Sequence, residues 1–387
     1  MMVWGLAASN KYSLWKSFAR MFGKLDVSQL KQFDSVDILV IKGRYNRKDY
    51  SELLSDILSR LGMGNSYVDA EKWHTKISIH PLTVFCTYKF VFLKKDVKLK
   101  FREKCLLANE MVYYCNTIDS ITKIDFKNVT KFLCVIDTLE VENLLTQYFK
   151  NKGVKTFSLM EGAYFLFKDN PPFDIIQYEN LTTDCKLSWG NYSRDELIRF
   201  GINPERLKVA GYPKNVKLYK LKPQNQYKKC MLLLARDSFR ESNMCLLEIL
   251  KNYTLDQEIW LKLHPGCDKS HYQDYADTHN MRIIPPEKTV NECLNQNDFD
   301  YAISVNTSAY YEALMRGLPC LRLYDGRFNL MCGLQDSFGN VEEYEDVYSR
   351  ICNLHSEKYQ KEIDDMLKYA VGIGIDNYRE IILGKDS

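Results

Sequence analysis

Short apolar runs alternate with stretches whose apolar residues recur at helical spacing along most of this 387-residue chain. In the first half, VDILVIKG (Val36–Gly43), KFLCVIDT (Lys131–Thr138) and KTFSLMEG (Lys155–Gly162) read as strands. Between the last two, VENLLTQYFKNKG places its apolar residues on one helical face and stops at a glycine. Strand, helix and strand in that order make a βαβ unit, which implies parallel pairing. The pattern loosens in KDNPPFD and resumes in SRDELIRFGINPERLKVAGYP, where Ser193 reads as an N-cap and Gly201 as a helix stop.

The polar, basic and proline-punctuated stretch Val209–Lys229 is the best linker in the chain. A second alternating series follows. CMLLLAR and EIWLKLHP read as strands with ESNMCLLEILKNY as the helix between them. Then come MRIIPP (strand), TVNECLNQN (helix), YAISVN (strand), TSAYYEALMRG (helix), PCLRLYD (strand) and a helical tail. The expected class is α/β, with two doubly wound, Rossmann-like domains facing across a cleft. The boundaries are 1–210, a linker over 211–229, and 230–387, with a last helix that could cross back to the first domain. Ligands in such sheets sit at the carboxyl ends of the strands.

Composition narrows the class. Apolar residues make up 45% and charged residues 27%, which is globular. A net charge of +3 is too weak to indicate a nucleic-acid partner. The twelve cysteines form no CxxC pair, so neither a zinc site nor a disulfide framework is supported, and they read as reduced core residues. MMVWGLAASNKYSLWKSF lacks the apolar run of a signal peptide, and no window of about 18–20 apolar residues is present. A soluble, cytoplasmic protein is expected.

Candidate chemistry gathers at strand ends. His264 and Pro265 directly follow one strand; Asn306 can cap, and Thr307 and Ser308 open a helix after another. Hydroxyls and free N–H groups at a helix start favour a phosphate, although an ordinary cap fits the same residues. Glu287 and Glu292 lie between these landmarks, where a carboxylate can take both ribose hydroxyls; the plain alternative is a solvated charge. Glu161 ends a strand in the first domain, between Met160 and Gly162, where it could deprotonate an acceptor hydroxyl.

The order acidic-Gly, His-Pro, Thr/Ser resembles bacterial sialyltransferases and polysialyltransferases of GT-B type, which use CMP-activated sugars and carry D/E-D/E-G, HP and S/T motifs. The resemblance runs from about Thr156 to Asp325. It implies Glu161 as general base, His264 (beside Pro265) on the departing CMP phosphate, Thr307 and Ser308 holding that phosphate, and Glu292 on the ribose. The first acidic position of the motif is Met160 here. KLHP, VAGYP and SAYYEALMRGLPC also resemble capsule Kdo transferases and CDP-glycerol-type phosphotransferases.

The implied activity is inverting, metal-independent transfer of an acidic sugar (sialic acid or Kdo-like) from a CMP donor to a glycan in bacterial lipooligosaccharide or capsule synthesis. No DxD pair stands where a metal–diphosphate bridge belongs, and EIDDML falls on a tail helix. Implied partners are the nucleotide-sugar donor and a glycan or lipid-linked glycan acceptor, with no cofactor and no nucleic acid. Peripheral association with the inner face of the cell membrane is compatible with that role. One alternative is a CDP-polyol phosphotransferase, for which His74 and His80 are the candidate additional histidines; His80-Pro81 also repeats the His-Pro dipeptide. Another is a non-catalytic nucleotide-sugar or glycan-binding protein on the same scaffold, which Met160 favours.

Overall fold

The computed structural model describes residues 13–45, 47–64, 66–94, 98–167, 173–221, 224–253, 256–296, 299–353 and 356–384. Most of KDNPPFD and the first twelve residues lie outside these. The chain forms two compact units. One comprises residues up to Glu161 with Asn180–Leu187 and Ile382–Gly384; the other comprises Gly162–Glu179 and Ser188–Ile381. The segment 211–228 contributes no helix or strand among the described residues.

The N-terminal unit contains, in order, α1 (Leu14–Met21), β1 (Gly23–Leu25), β2 (Ile38–Lys42), α2 (Lys48–Arg60), β3 (Val68–Asp69), β4 (Thr75–Ile77), α3 (Pro81–Leu93) and α4 (Phe101–Ile121). Then follow β5 (Lys131–Cys134), α5 (Glu140–Asn151), β6 (Lys155–Leu159) and β7 (Cys185–Ser188). With β8 (Leu207–Val209) the main sheet has the order β3-β2-β5-β6-β7-β8, parallel from β3 to β7. Every residue of β2 is buried, which is why this strand reads as a continuous apolar run rather than an alternation. Its last residue, Lys42, is buried but paired: Nζ lies 3.1 Å from Glu71 and 3.5 Å from Asp69. β1 and β4 form a separate antiparallel ribbon, and α1 and α3 pack on α4.

The second unit contains α6 (Phe173–Glu179), α7 (Asn191–Phe200), β9 (Lys229–Leu233), α8 (Arg240–Leu250), β10 (Glu258–Lys262), α9 (Ser270–Thr278) and β11 (Arg282–Ile283). Next come α10 (Val290–Gln296), β12 (Tyr301–Ser304), α11 (Ala309–Met315), β13 (Cys320–Leu323) and β14 (Ser337–Phe338). The tail is α12 (Val341–Cys352), α13 (Ser356–Val371) and α14 (Tyr378–Leu383). The sheet order is β11-β10-β9-β12-β13-β14, parallel throughout. Its core joins Leu232, Leu261, Ile303 and Leu321 of the strands to Leu246, Leu250 and Tyr272 of the helices.

Two local expectations change and one holds. Ser193 is not the cap of α7, which starts at Asn191 with Gly190 in that position; Ser193 is buried, and its hydroxyl accepts from Tyr164 N at 2.9 Å. The hydroxyl serves a distant chain segment instead of its own helix. Gly201 does end the helix, at φ +110°. The cysteines are all free, but Cys86 and Cys115 are exposed, so not all are core residues.

After α13 the chain returns across residues 188–211. Gly211 (φ +103°) and Gly372 (φ +73°) meet there; a Cβ on Gly211 would lie 1.9 Å from Ile375 O, and one on Gly372 would lie 2.1 Å from Trp189 O. Only glycine permits backbones this close at these torsions. Asn377 N donates to Ala210 O, and Tyr378 Oη donates to Gly211 O at 3.0 Å. Farther on, Leu383 O accepts from Lys131 Nζ of β5 at 3.2 Å.

Candidate active site

In the C-terminal sheet the chain runs from β9 outward through β10 to β11 and then crosses back to β12 on the other side of β9, so the strand order reverses there. Doubly wound sheets bind ligands at such a reversal, beyond the carboxyl ends of the strands. His264 and Pro265 stand just past β10, and Thr307 and Ser308 just past β12. The fold brings these four residues to the same edge, one pair on each side of β9.

His264 is half-buried and Pro265 is exposed in the turn that follows. Gly266 N donates to His264 Nδ1 at 3.0 Å. A neutral imidazole accepting at Nδ1 carries its proton on Nε2, so the ring offers a donor there. Across β9, Asn306 is not a cap. It takes the left-handed conformation (φ +42°), and its Nδ2 donates to Asn329 O at 3.5 Å. α11 begins only at Ala309, one residue after Ser308; Thr307 Oγ1 accepts from Ala309 N at 3.4 Å, and Ser308 makes no side-chain cap. Both hydroxyls are half-buried.

Glu292 belongs to a reciprocal cap at the start of α10. Its Oε2 accepts from Thr289 N at 2.7 Å, while its own N donates to Thr289 Oγ1 at 3.2 Å. Glu287 is exposed in the preceding turn. A carboxylate not singled out from the sequence stands on the helix that follows the hydroxyl pair: Glu312, four positions after Ser308. The other six residues of α11 are buried, and Glu312 alone is not. Lys214 Nζ and Tyr212 Oη both approach its Oε1, at 3.0 and 3.3 Å. The signal in the sequence is one acid inside AYYEALM.

In the N-terminal unit, Met160 is buried and Glu161 is half-buried. The motif's first acidic position therefore belongs to the core here, where an apolar side chain fits and a charge would be costly. Desolvation lowers the pKa of Arg47 and its hydrogen bond to Asp49 raises it, with Glu161 a further upward pull; Glu161 also pushes Glu142 upward. Glu142, on the first turn of α5, is fully buried; desolvation pushes its pKa to about 8 against the pull of hydrogen bonds from Ile136 N, Val135 N and Tyr45 Oη. Those three donors converge on Oε1 at 2.9–3.1 Å, while Oε2 has no hydrogen-bond partner among the described residues. Oε2 fits because residue 43 is glycine; a Cβ there would lie 2.4 Å from it.

Glu142, Tyr45, Gly43, Arg44, Arg20 and Glu140 line a cavity of about 470 Å³ beyond the carboxyl ends of β2 and β5. Nothing in the sequence pattern singles these residues out for chemistry; Gly43 is there only the end of a strand. Both other histidine candidates lie elsewhere: His74 is 3.4 Å from Asp26 on the ribbon, and His80-Pro81 simply opens α3. Among the described residues, no three His, Cys, Asp or Glu side chains gather as a metal site.

No family model and no curated protein matches the sequence. Solved structures do match. A putative UDP-N-acetylglucosamine 2-epimerase from Listeria monocytogenes shares 11% identity at a TM-score of 0.52, over 90% of this chain and 95% of that one. An MnaA–UDP co-structure from S. aureus gives 11% and 0.51 over the same shares. The lipopolysaccharide outer core galactosyltransferase WaaB in its apo form gives 13% and 0.50, over 90% of this chain and 100% of that chain. The fold is GT-B. His264, Thr307, Ser308 and Glu312 flank the reversal at β9 in the C-terminal sheet, the place where doubly wound sheets bind ligands.

Proposed function

We propose that this GT-B chain is an inverting glycosyltransferase that takes an acidic sugar from a CMP-activated donor. One observation supports it most: a histidine whose tautomer is fixed by a backbone N–H stands on one side of the reversal, and two hydroxyls stand on the other. A departing phosphate needs donors aimed at the charge that grows as its bond to the sugar breaks. His264 Nε2–H and the Thr307 and Ser308 hydroxyls supply them. The acceptor hydroxyl oxygen attacks the anomeric carbon, and the bond from that carbon to the phosphate oxygen breaks with its electron pair leaving on CMP. The acceptor proton passes to the Glu161 carboxylate. Glu292 takes the ribose diol in this scheme, with Glu312 as the second carboxylate on this sheet edge; each already has one oxygen bonded, to Thr289 N and to Lys214 Nζ.

The acceptor is a glycan of a bacterial surface polysaccharide, and the donor phosphate is handled by hydroxyls and imidazole rather than by a metal. A second reading, a UDP-sugar enzyme, draws support from the likeness to the MnaA–UDP structure. A thermal-shift series with CMP, CDP, UDP and GDP, with and without Mg²⁺, separates the two. A ligand at about 100 times its Kd stabilises the folded chain by about 2.7 kcal/mol. Stabilisation by CMP or CDP without Mg²⁺ is expected. Stabilisation by UDP alone overturns the CMP reading in favour of the second, and a requirement for Mg²⁺ removes the metal-free phosphate site.

A further inference from the structure

Helix α3 turns large apolar side chains to solvent. Leu82, Phe85, Phe90 and Leu93 are 74%, 65%, 54% and 66% exposed, and with Cys86 and Lys89 they form one stripe along the helix. The opposite face is the buried one and carries Thr87 and Val91, while Tyr88 Oη donates to Asn109 Oδ1 of α4 at 2.5 Å. A water-facing helix normally reverses this arrangement. The apolar surface continues beyond both helix ends, to Ile77 (86% exposed) before it and Phe101 (74%) after it; the Phe101 ring lies 5.6 Å from that of Phe92. Contiguous exposed apolar surface of this kind marks a docking face on a folded protein.

The charge around the stripe selects the occupant. From Pro81 to Lys104 the sequence carries seven bases, Lys89, Lys94 and Lys104 among them, against two acids, Asp96 and Glu103, and Glu103 is already bound to Lys100 N. A second copy meeting this face by two-fold symmetry would bring lysines against lysines. An anionic lipid surface instead offers hydrocarbon to the stripe and negative headgroups to its rim. At 13 residues, α3 is about 20 Å long, short of the roughly 30 Å hydrocarbon thickness, so it can lie in the interface but not cross it. No helix among the described residues is long and apolar enough to span.

We propose that α3 and its flanks are the membrane-docking face of this protein, seated in the headgroup region of an anionic bilayer. The inference goes beyond the transferase reading and does not depend on it. The test is co-sedimentation of the full chain with vesicles of phosphatidylcholine alone or with one-third phosphatidylglycerol, with folding checked by thermal unfolding. The wild type is expected to pellet with the anionic vesicles and far less with the neutral ones. F85E/F90E, at exposed positions, should lower partitioning at least about tenfold. K89E/K94E should remove the preference for anionic vesicles, at about fivefold per charge lost. A wild type that stays in the supernatant with anionic vesicles overturns the proposal, as does F85E/F90E binding like wild type. Conversion of a stable dimer to monomer by F85E/F90E, without vesicle binding, assigns the face to a second copy instead.

Discussion

Two carboxyl groups of the N-terminal unit share a neighbourhood but differ in environment. Glu161 is half-buried, whereas Glu142 is sealed from water with its pKa at about 8. If Glu161 is the general base, Glu161→Gln should lower turnover by roughly 10²–10⁴ while leaving nucleotide affinity almost unchanged. Single-turnover transfer and nucleotide titration on the same preparation check this; intact turnover with weakened nucleotide binding would move Glu161 to the donor. Glu142 makes a separate, pH-dependent contribution. Its folded pKa lies above its unfolded value, so its contribution is full below about pH 4.5 and is lost as the pH rises towards 8. Across that window stability should fall by about 1.4 kcal/mol per pH unit on its account. Glu142→Gln keeps the Oε1 acceptor and cannot ionise, so its denaturation midpoint should vary less between pH 5 and 8. Equal pH slopes in wild type and variant would show that Glu142 is already ionised in the folded state.

At the scale of elements, the nucleotide reading rests on two strand-to-helix turns on opposite sides of β9. Each turn is held by its own backbone bonds: Cys267 N to His264 O at 2.9 Å, and Tyr310 N to Thr307 O at 3.0 Å. Side-chain truncation should therefore leave both turns standing. His264→Ala and the double change Thr307→Ala/Ser308→Ala are each expected to weaken nucleotide binding, with a loss of about 10²–10³ in kcat for removal of a transition-state donor. The unfolding midpoint without ligand should stay close to wild type. Near-normal turnover in His264→Ala would reduce KLHP to a strand end.

At the scale of the molecule, the alternation of strands and helices was legible because parallel strands covered on both faces become apolar runs, as β2 and β9 do. The placement of His264 and Thr307 was legible for a related reason: strand ends in such a sheet share an edge. Other features depended on information the pattern lacks. α3 is apolar nearly all round, so its sequence cannot tell which side faces water. Glu142 and Glu312 read as surface acids on helices, and only the fold reveals that one is sealed and the other stands alone on a buried helix. Ser193 looked like a local cap because its bond to Tyr164 is long-range.

The meeting of Gly211 with Gly372 also has a bearing on how the protein is made. Tyr378 and its acceptor Gly211 are 167 positions apart, and the bond between Lys131 and Leu383 spans 252. On a ribosome adding about 5–20 residues per second, the earlier partner waits on the order of ten seconds or more for the later one. Through that interval residues 188–211 lack the strap that packs against them, and the Lys131 ammonium lacks the Leu383 carbonyl. Assembly of this protein therefore waits on synthesis of residues 372–383, and a pause in the codons for that segment would prolong the life of an unstrapped intermediate.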